Sequence, residues 1–235
     1  MSPPVWLSGP IADWPAGDRP IAWHVRLDDP GVAQLYAAGA VRAEDLRDLA
    51  NKPCAELRLR RRQLTRLLLA RVAELHPDRL QLGRSPLGAP LVAEPAGWHV
   101  SVAGRGPEAL IGVSRAPIGV DLEEMLDTPL PEDALTARER LASHTADPLA
   151  WTACWVAKEA HAKRIGIASS VDAASIDTHP ADSGCWIATT KDARSRCHLR
   201  QAGALLLGVA VADGTATAAR LTPSAASRRR ARGTG

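Results

Sequence analysis

Two short stretches of the chain carry residues whose types and spacing could do chemistry together. The first is Ile118 to Glu124, which contains Asp121 and Glu123 two positions apart. On a β-strand such residues share a face, with Leu122 pointing the other way into a core and Glu124 turned from the pair. The second is Trp155 to Lys163, which places Glu159 four residues before Lys163 without an intervening Gly or Pro. Ala, Lys and Glu favour helix, and a four-residue spacing sets Glu159 and Lys163 on one helix face, a turn apart. Taken singly, each stretch has an ordinary reading, a solvated strand end or a surface ion pair. Taken together they suggest more. If Glu159 joins Asp121 and Glu123, three carboxylates form a hard-oxygen cage suited to Mg²⁺ or Mn²⁺, with water and phosphate oxygens completing the shell.

Other elements must bring these stretches together. Residues 20–27 alternate apolar and polar, which predicts a strand, and Asp28 to Gly31 turns it. Residues 32–50 have helical composition. A longer helix is expected over about 53–75, with Leu57, Leu64, Leu67, Leu68 and Val72 on its core face and arginines around the rest. The Pro- and Gly-punctuated segment 83–97 reads as loop with at most a short strand. Residues 98–102 and 109–114 predict a hairpin, and 118–123 a further strand. Thr136 followed by Glu139 resembles a helix-capping pair, and 148–166 reads as the central helix. Strands are expected at 174–178, 185–190, 196–201 and 205–212. The patterning therefore predicts an α+β fold of two subdomains, 1–115 and 116–222, each a helix against a small antiparallel sheet. A disordered basic tail is expected over 223–235.

Composition narrows the function classes. The 235 residues are 46 % apolar, lack Phe and contain seven Trp, so tryptophan must supply the aromatic packing of a real core. The net charge of +3 is too small to argue a nucleic-acid binder, and the short Arg run at 228–232 is of a solubilising kind. Cys54, Cys154, Cys185 and Cys197 show no zinc or disulfide spacing. No signal peptide opens the chain and no apolar run could span a bilayer. The expected setting is the cytoplasm, with reduced thiols and no membrane partner. An Ala/Arg/Pro-rich, Lys-poor bias suggests a GC-rich bacterial source.

The strand motif at 118–123, followed by Trp155, Lys158, Glu159 and Lys163 at these spacings, resembles the signature of the 4′-phosphopantetheinyl transferases of the surfactin-synthetase-activating type. Further segments resemble that family: Arg62 to Ala70 its Arg-rich helix, Arg84 to Pro90 its Gly-Lys-Pro loop, Trp98 to Gly104 its Ser-His-Ser-Gly segment, and Leu135 to Glu139 its linking helix. The resemblance implies two similar halves with pseudo-twofold symmetry, the active site in the cleft between them, and a monomer. It implies transfer of phosphopantetheine from coenzyme A to a serine of an acyl or peptidyl carrier protein. Asp121, Glu123 and Glu159 would hold Mg²⁺. Glu159 and Lys163 would be catalytic. Arg62, Arg84, Ser101, Lys158 and Lys163 would bind coenzyme A.

Two positions depart from the family pattern. Its His is Val102 and its Lys is Ala89, and His99 lies on the strand face opposite Val102. A lost charge-assisted contact is worth roughly 1.5–3 kcal/mol, so coenzyme A binding weakens unless Arg105 or another arginine compensates. Two alternatives follow: a repurposed member of the same fold acting on another nucleotide-like or carrier-linked substrate, and a non-catalytic module that binds an acidic carrier through its arginines.

Overall fold

The computed structural model describes residues 2–11, 13–37, 41–143, 147–182 and 184–214. In chain order it forms strands β1 (Val5–Ser8) and β2 (Ile21–Arg26), helices α1 (Pro30–Ala37), α2 (Ala43–Leu49) and α3 (Ala55–Val72), and strands β3 (Gln81–Arg84), β4 (Pro90–Glu94), β5 (His99–Arg105), β6 (Glu108–Ser114) and β7 (Gly119–Glu124). Helices α4 (Ala137–Ser143) and α5 (Pro148–Arg164) follow, then strands β8 (Asp177–Pro180), β9 (Cys185–Thr189), β10 (Arg194–Ala202) and β11 (Leu205–Ala212). The basic tail expected over 223–235 lies outside the described residues.

Strand alternation builds the layers. One sheet has the order β1-β2-β6-β5 and the second β7-β11-β10-β9-β8. In β6, Ile111 and Val113 face α3, where they pack with Leu64, Leu68, Leu69 and a fully buried Trp23. Leu110 points the opposite way, into a core shared between the two sheets with Val120, Leu122, Leu207 and Val209. The other faces of β7 and β11 receive α5 through Ala157, Ala160, Val156, Leu206 and Ala210. The order is thus α3, first sheet, second sheet, α5. Burial of these side chains, at about 1.5–3 kcal/mol for each large aliphatic one, holds the layers together.

One expectation needs correction and two gain detail. Residues 1–20 are not wholly irregular, because Val5–Ser8 pairs parallel with β2 and the first sheet is therefore not purely antiparallel. The segment 83–97, read as loop with at most a short strand, holds the end of β3 and the short strand β4, which pair as a two-stranded antiparallel ribbon closed through the Ser85–Ala89 turn. The helical stretch 32–50 contains two helices, α1 and α2. Each of these elements is short and amphipathic only against a neighbour, so local patterning carries little signal for it. The capping pair forms as read: Thr136 N–H donates to Glu139 Oε2 at 2.8 Å, and Glu139 N–H to Thr136 Oγ at 3.2 Å. No helix among the described residues is long and apolar enough to cross a membrane.

Candidate active site

The fold brings the two sequence stretches into contact at Gly119. A Cβ there would lie 1.9 Å from the carbonyl oxygen of Ala160 and 2.4 Å from the amide nitrogen of Arg164. Only a bare Cα lets the α5 backbone lie this close to β7. The approach sets the last two turns of α5 over the strand face that carries Asp121 and Glu123. Asp147 caps the start of α5 by accepting from Ala150 N–H at 2.8 Å, with Pro148 in the first turn.

At this junction Lys163 Nζ donates to Asp121 Oδ1 at 2.5 Å. Asp121 is 4 % exposed and its Oδ2 is buried without a partner. Burial pushes its carboxyl up to about 6, against the pull of Lys163 and with a smaller push from Glu159. Glu123 is raised by burial and by Asp121, while Arg105, at 2.5 Å, and the Trp155 side chain oppose the rise. Glu159 is raised by burial, with Lys163 lowering it and Glu123 raising it further. The three carboxylates therefore sense one another, as two sets of like charges do when they share a site.

The expected three-carboxylate cage is not assembled. No group of three His, Cys, Asp or Glu among the described residues stands ready to hold a metal ion. Lys163 holds Asp121 and Arg105 holds Glu123 in its place. The donor set still fits a divalent cation, since it offers only hard oxygens, one of them an orphaned buried acceptor on Asp121. Arg105, the arginine considered as a replacement for lost phosphate contacts, is committed to Glu123 and Glu124.

Beside this junction lies a cleft of about 980 Å³, and Lys163 belongs to both. One wall is α2, α3 and β5, and the other is the end of α5 with Gly166, Ala168 and Ser169. The β3–β4 ribbon covers it, and Ser169 Oγ donates to the Leu87 carbonyl at 2.7 Å across the opening. Seven basic side chains line the cleft against four acidic ones, so an anionic ligand suits it.

The structure distributes the remaining expected site residues unevenly. Arg62 lines the cleft but donates to Asp45 at 2.8 Å and Asp48 at 3.2 Å. Arg84 lines it and, among the described residues, has only the Gly88 carbonyl as partner, at 2.7 Å, and burial with the nearby Arg62 lowers its affinity for its proton. Ser101 reaches the cleft, but its Oγ accepts from Val120 N–H at 3.0 Å and ties the two sheets together. What it could still offer a ligand is its hydroxyl hydrogen. Lys158 is the clear correction. It is 1 % exposed, pairs with Glu139 at 2.7 Å and donates to the carbonyls of Ala173 and Ile176. Five residues along a helix turn a side chain by roughly 140°, so Lys158 and Lys163 leave α5 on different sides.

Sequence reasoning missed Asp45 and Arg61. Asp45 is buried on α2 beneath Arg62 and Arg66, both of which donate to it. Arg61 lies across Gly104 in the cleft wall. An acidic residue on one arginine-rich helical face opposite another is the signal for the first. The glycine in β5 is the signal for the second.

These features define a two-sheet α+β protein with a cationic cleft running up to an acidic strand and helix. Residues 117–212, less than half of the chain, match the family model of the 4′-phosphopantetheinyl transferase superfamily. That span holds β7, α5 and the whole second sheet, and so contains Asp121, Glu123, Glu159 and Lys163. The match makes this span similar to that transferase superfamily, which is named for phosphopantetheine transfer. No curated protein matches the chain.

Proposed function

We propose that the protein is a phosphopantetheinyl transferase of the surfactin-synthetase-activating type, acting in the cytoplasm on an acyl or peptidyl carrier protein with coenzyme A as donor and Mg²⁺ or Mn²⁺ as the metal. The observation that carries this reading is the bond between Lys163 and Asp121, because it fuses the acidic strand to the mouth of the cationic cleft. The serine oxygen of the carrier forms a bond to the phosphorus that bears pantetheine. The bond from that phosphorus to adenosine 3′,5′-bisphosphate breaks. Glu159, whose proton affinity is raised by burial, accepts the serine proton. Lys163 balances the charge gathering on the leaving phosphate oxygen. A metal held by Asp121, Glu123 and Glu159 would supply charge neutralisation on the pyrophosphate. Arg84 and Ser101 contribute to the nucleotide side of the cleft, which Arg62 lines while held by Asp45 and Asp48. A single chain furnishes both walls, in keeping with a monomer of two related halves.

Incubation of apo-carrier proteins with coenzyme A and MgCl₂ should add the phosphopantetheine mass, and Glu159→Gln should abolish the gain. If several carriers that are modified by an active control enzyme remain unmodified here, the reading fails.

One observation favours a second reading. Val102 and Ala89 both line the cleft, where an apolar and a small side chain offer phosphate no charge. A repurposed enzyme of the same fold would accept another nucleotide-like or carrier-linked substrate. Calorimetry separates the two, since tight, Mg²⁺-dependent coenzyme A binding argues against repurposing.

A further inference from the structure

The arginines of the cleft fall into two groups. Arg62 and Arg66 share Asp45, with Asp48 beside Arg62 and Glu44 beside Arg66 to balance the second charge, and Arg66 is 4 % exposed, so this pair braces α3 against α2. Arg61 differs. No carboxylate pairs with it among the described residues. Its Nη2 donates to two backbone carbonyls, Gly106 at 2.6 Å and Glu108 at 3.2 Å, and its Nε is buried without a partner. Carbonyl oxygens satisfy hydrogens but do not cancel a full charge. A second guanidinium, Arg58, stands close enough to lower the proton affinity of Arg61, with burial as the larger cause. Desolvating a cation beside another cation is unfavourable unless an anion joins them.

The position is also built. A Cβ on Gly104 would lie 2.1 Å from Arg61 Cζ and 2.2 Å from Nε, so the guanidinium rests on the bare backbone of β5. It therefore occupies the stretch of wall that includes Val102 and Ala103, which carry no charge of their own.

We propose that Arg61, seated on Gly104, is the phosphate-binding residue of this wall, receiving a phosphate or pyrophosphate group of the ligand, while Arg62 and Arg66 act as its structural brace through Asp45. This rests on the proposed function only for the name of the ligand, coenzyme A. The phosphate site itself rests on the geometry.

Isothermal titration of coenzyme A should show Arg61→Met binding ten- to a hundredfold more weakly than wild type, the loss expected for one charge-assisted phosphate contact. Arg60→Met is the control on the same helix, because Arg60 pairs with Glu56 and stacks over Tyr36 at 5.1 Å, outside the cleft. It should bind as wild type does. Gly104→Val, which displaces the guanidinium without removing charge, should reproduce the Arg61→Met loss, with circular dichroism confirming the fold of each variant. A thermal-shift series with inorganic pyrophosphate separates this inference from the proposed function. If wild type binds pyrophosphate and not coenzyme A, and Arg61→Met loses the pyrophosphate shift, the site stands and the coenzyme A reading falls. If Arg61→Met binds both ligands as wild type does, if Arg60→Met weakens binding equally, or if wild type binds neither, the inference is overturned.

Discussion

Asp121→Asn is expected to make the isolated protein more stable while ending its activity. The Asp121 carboxyl titrates at about 6 in the folded protein against 3.8 in the unfolded chain, and burial is the main cause. That displacement corresponds to about 3 kcal/mol as an upper bound, net of the attraction of Lys163. The sign follows from the direction. A raised acid holds its proton more tightly when folded, so the ionised form opposes folding fully above about pH 6, and the opposition fades as pH falls towards 3.8. Asparagine keeps the shape and removes the charge. Urea unfolding in metal-free buffer, followed by tryptophan fluorescence, should find the variant more stable by up to about 3 kcal/mol near pH 7.5 and by under about 1 kcal/mol near pH 4. Added MgCl₂ should stabilise wild type and leave the variant unchanged, since a ligand that binds only the folded state raises its stability. A variant less stable than wild type near neutrality, or a difference independent of pH, would refute the reasoning.

Lys158→Met should cost on the order of 3–5 kcal/mol in urea unfolding by leaving Glu139 charged and buried, and the double variant with Glu139→Gln should recover part of the loss. Gly119→Ala should push α5 off β7, lowering stability by about 1–3 kcal/mol and abolishing transfer by separating Lys163 from Asp121; an unchanged melting profile would contradict the close approach. His161 is buried against Ser195, and burial with the nearby Arg164 lowers its pKa to about 4. Its neutral form therefore supports folding above about pH 6.5, and on the order of 3 kcal/mol is lost as pH falls towards 4, a dependence that His161→Gln should remove from unfolding curves.

Much of the fold could be read from periodicity because the long elements carry their own signals. Strands β2, β5, β6, β7 and β11 alternate or are bounded by turns, and α3 and α5 lack breakers. Assignment of faces in β7 followed directly, since Leu122 enters the core between the sheets and Asp121 faces α5. Elements that depend on a neighbour were not legible. Strand β1 is four residues long and exists through its parallel pairing with β2. The β3–β4 ribbon contains Gly and Pro in its strands and turn, so local rules score it as loop.

The site was legible in its residue types and only partly in its partnerships. Lys158 and Lys163 look alike in sequence, and only the packing of α5 decides between them. Ala157, Ala160 and Ala162 bury the helix on the second sheet, and Lys158 is drawn beneath it towards Glu139, whose own position is fixed by the capping pair with Thr136. The run of five arginines between 58 and 66 poses the same problem more sharply. Pattern alone favoured Arg62, yet Asp45, seventeen residues upstream, claims both Arg62 and Arg66. What frees Arg61 is negative in kind: a glycine on β5 where any side chain would exclude it, and no carboxylate paired with it among the described residues. A motif records which charges a site can use, and the neighbours that neutralise some of them decide which remain for the ligand.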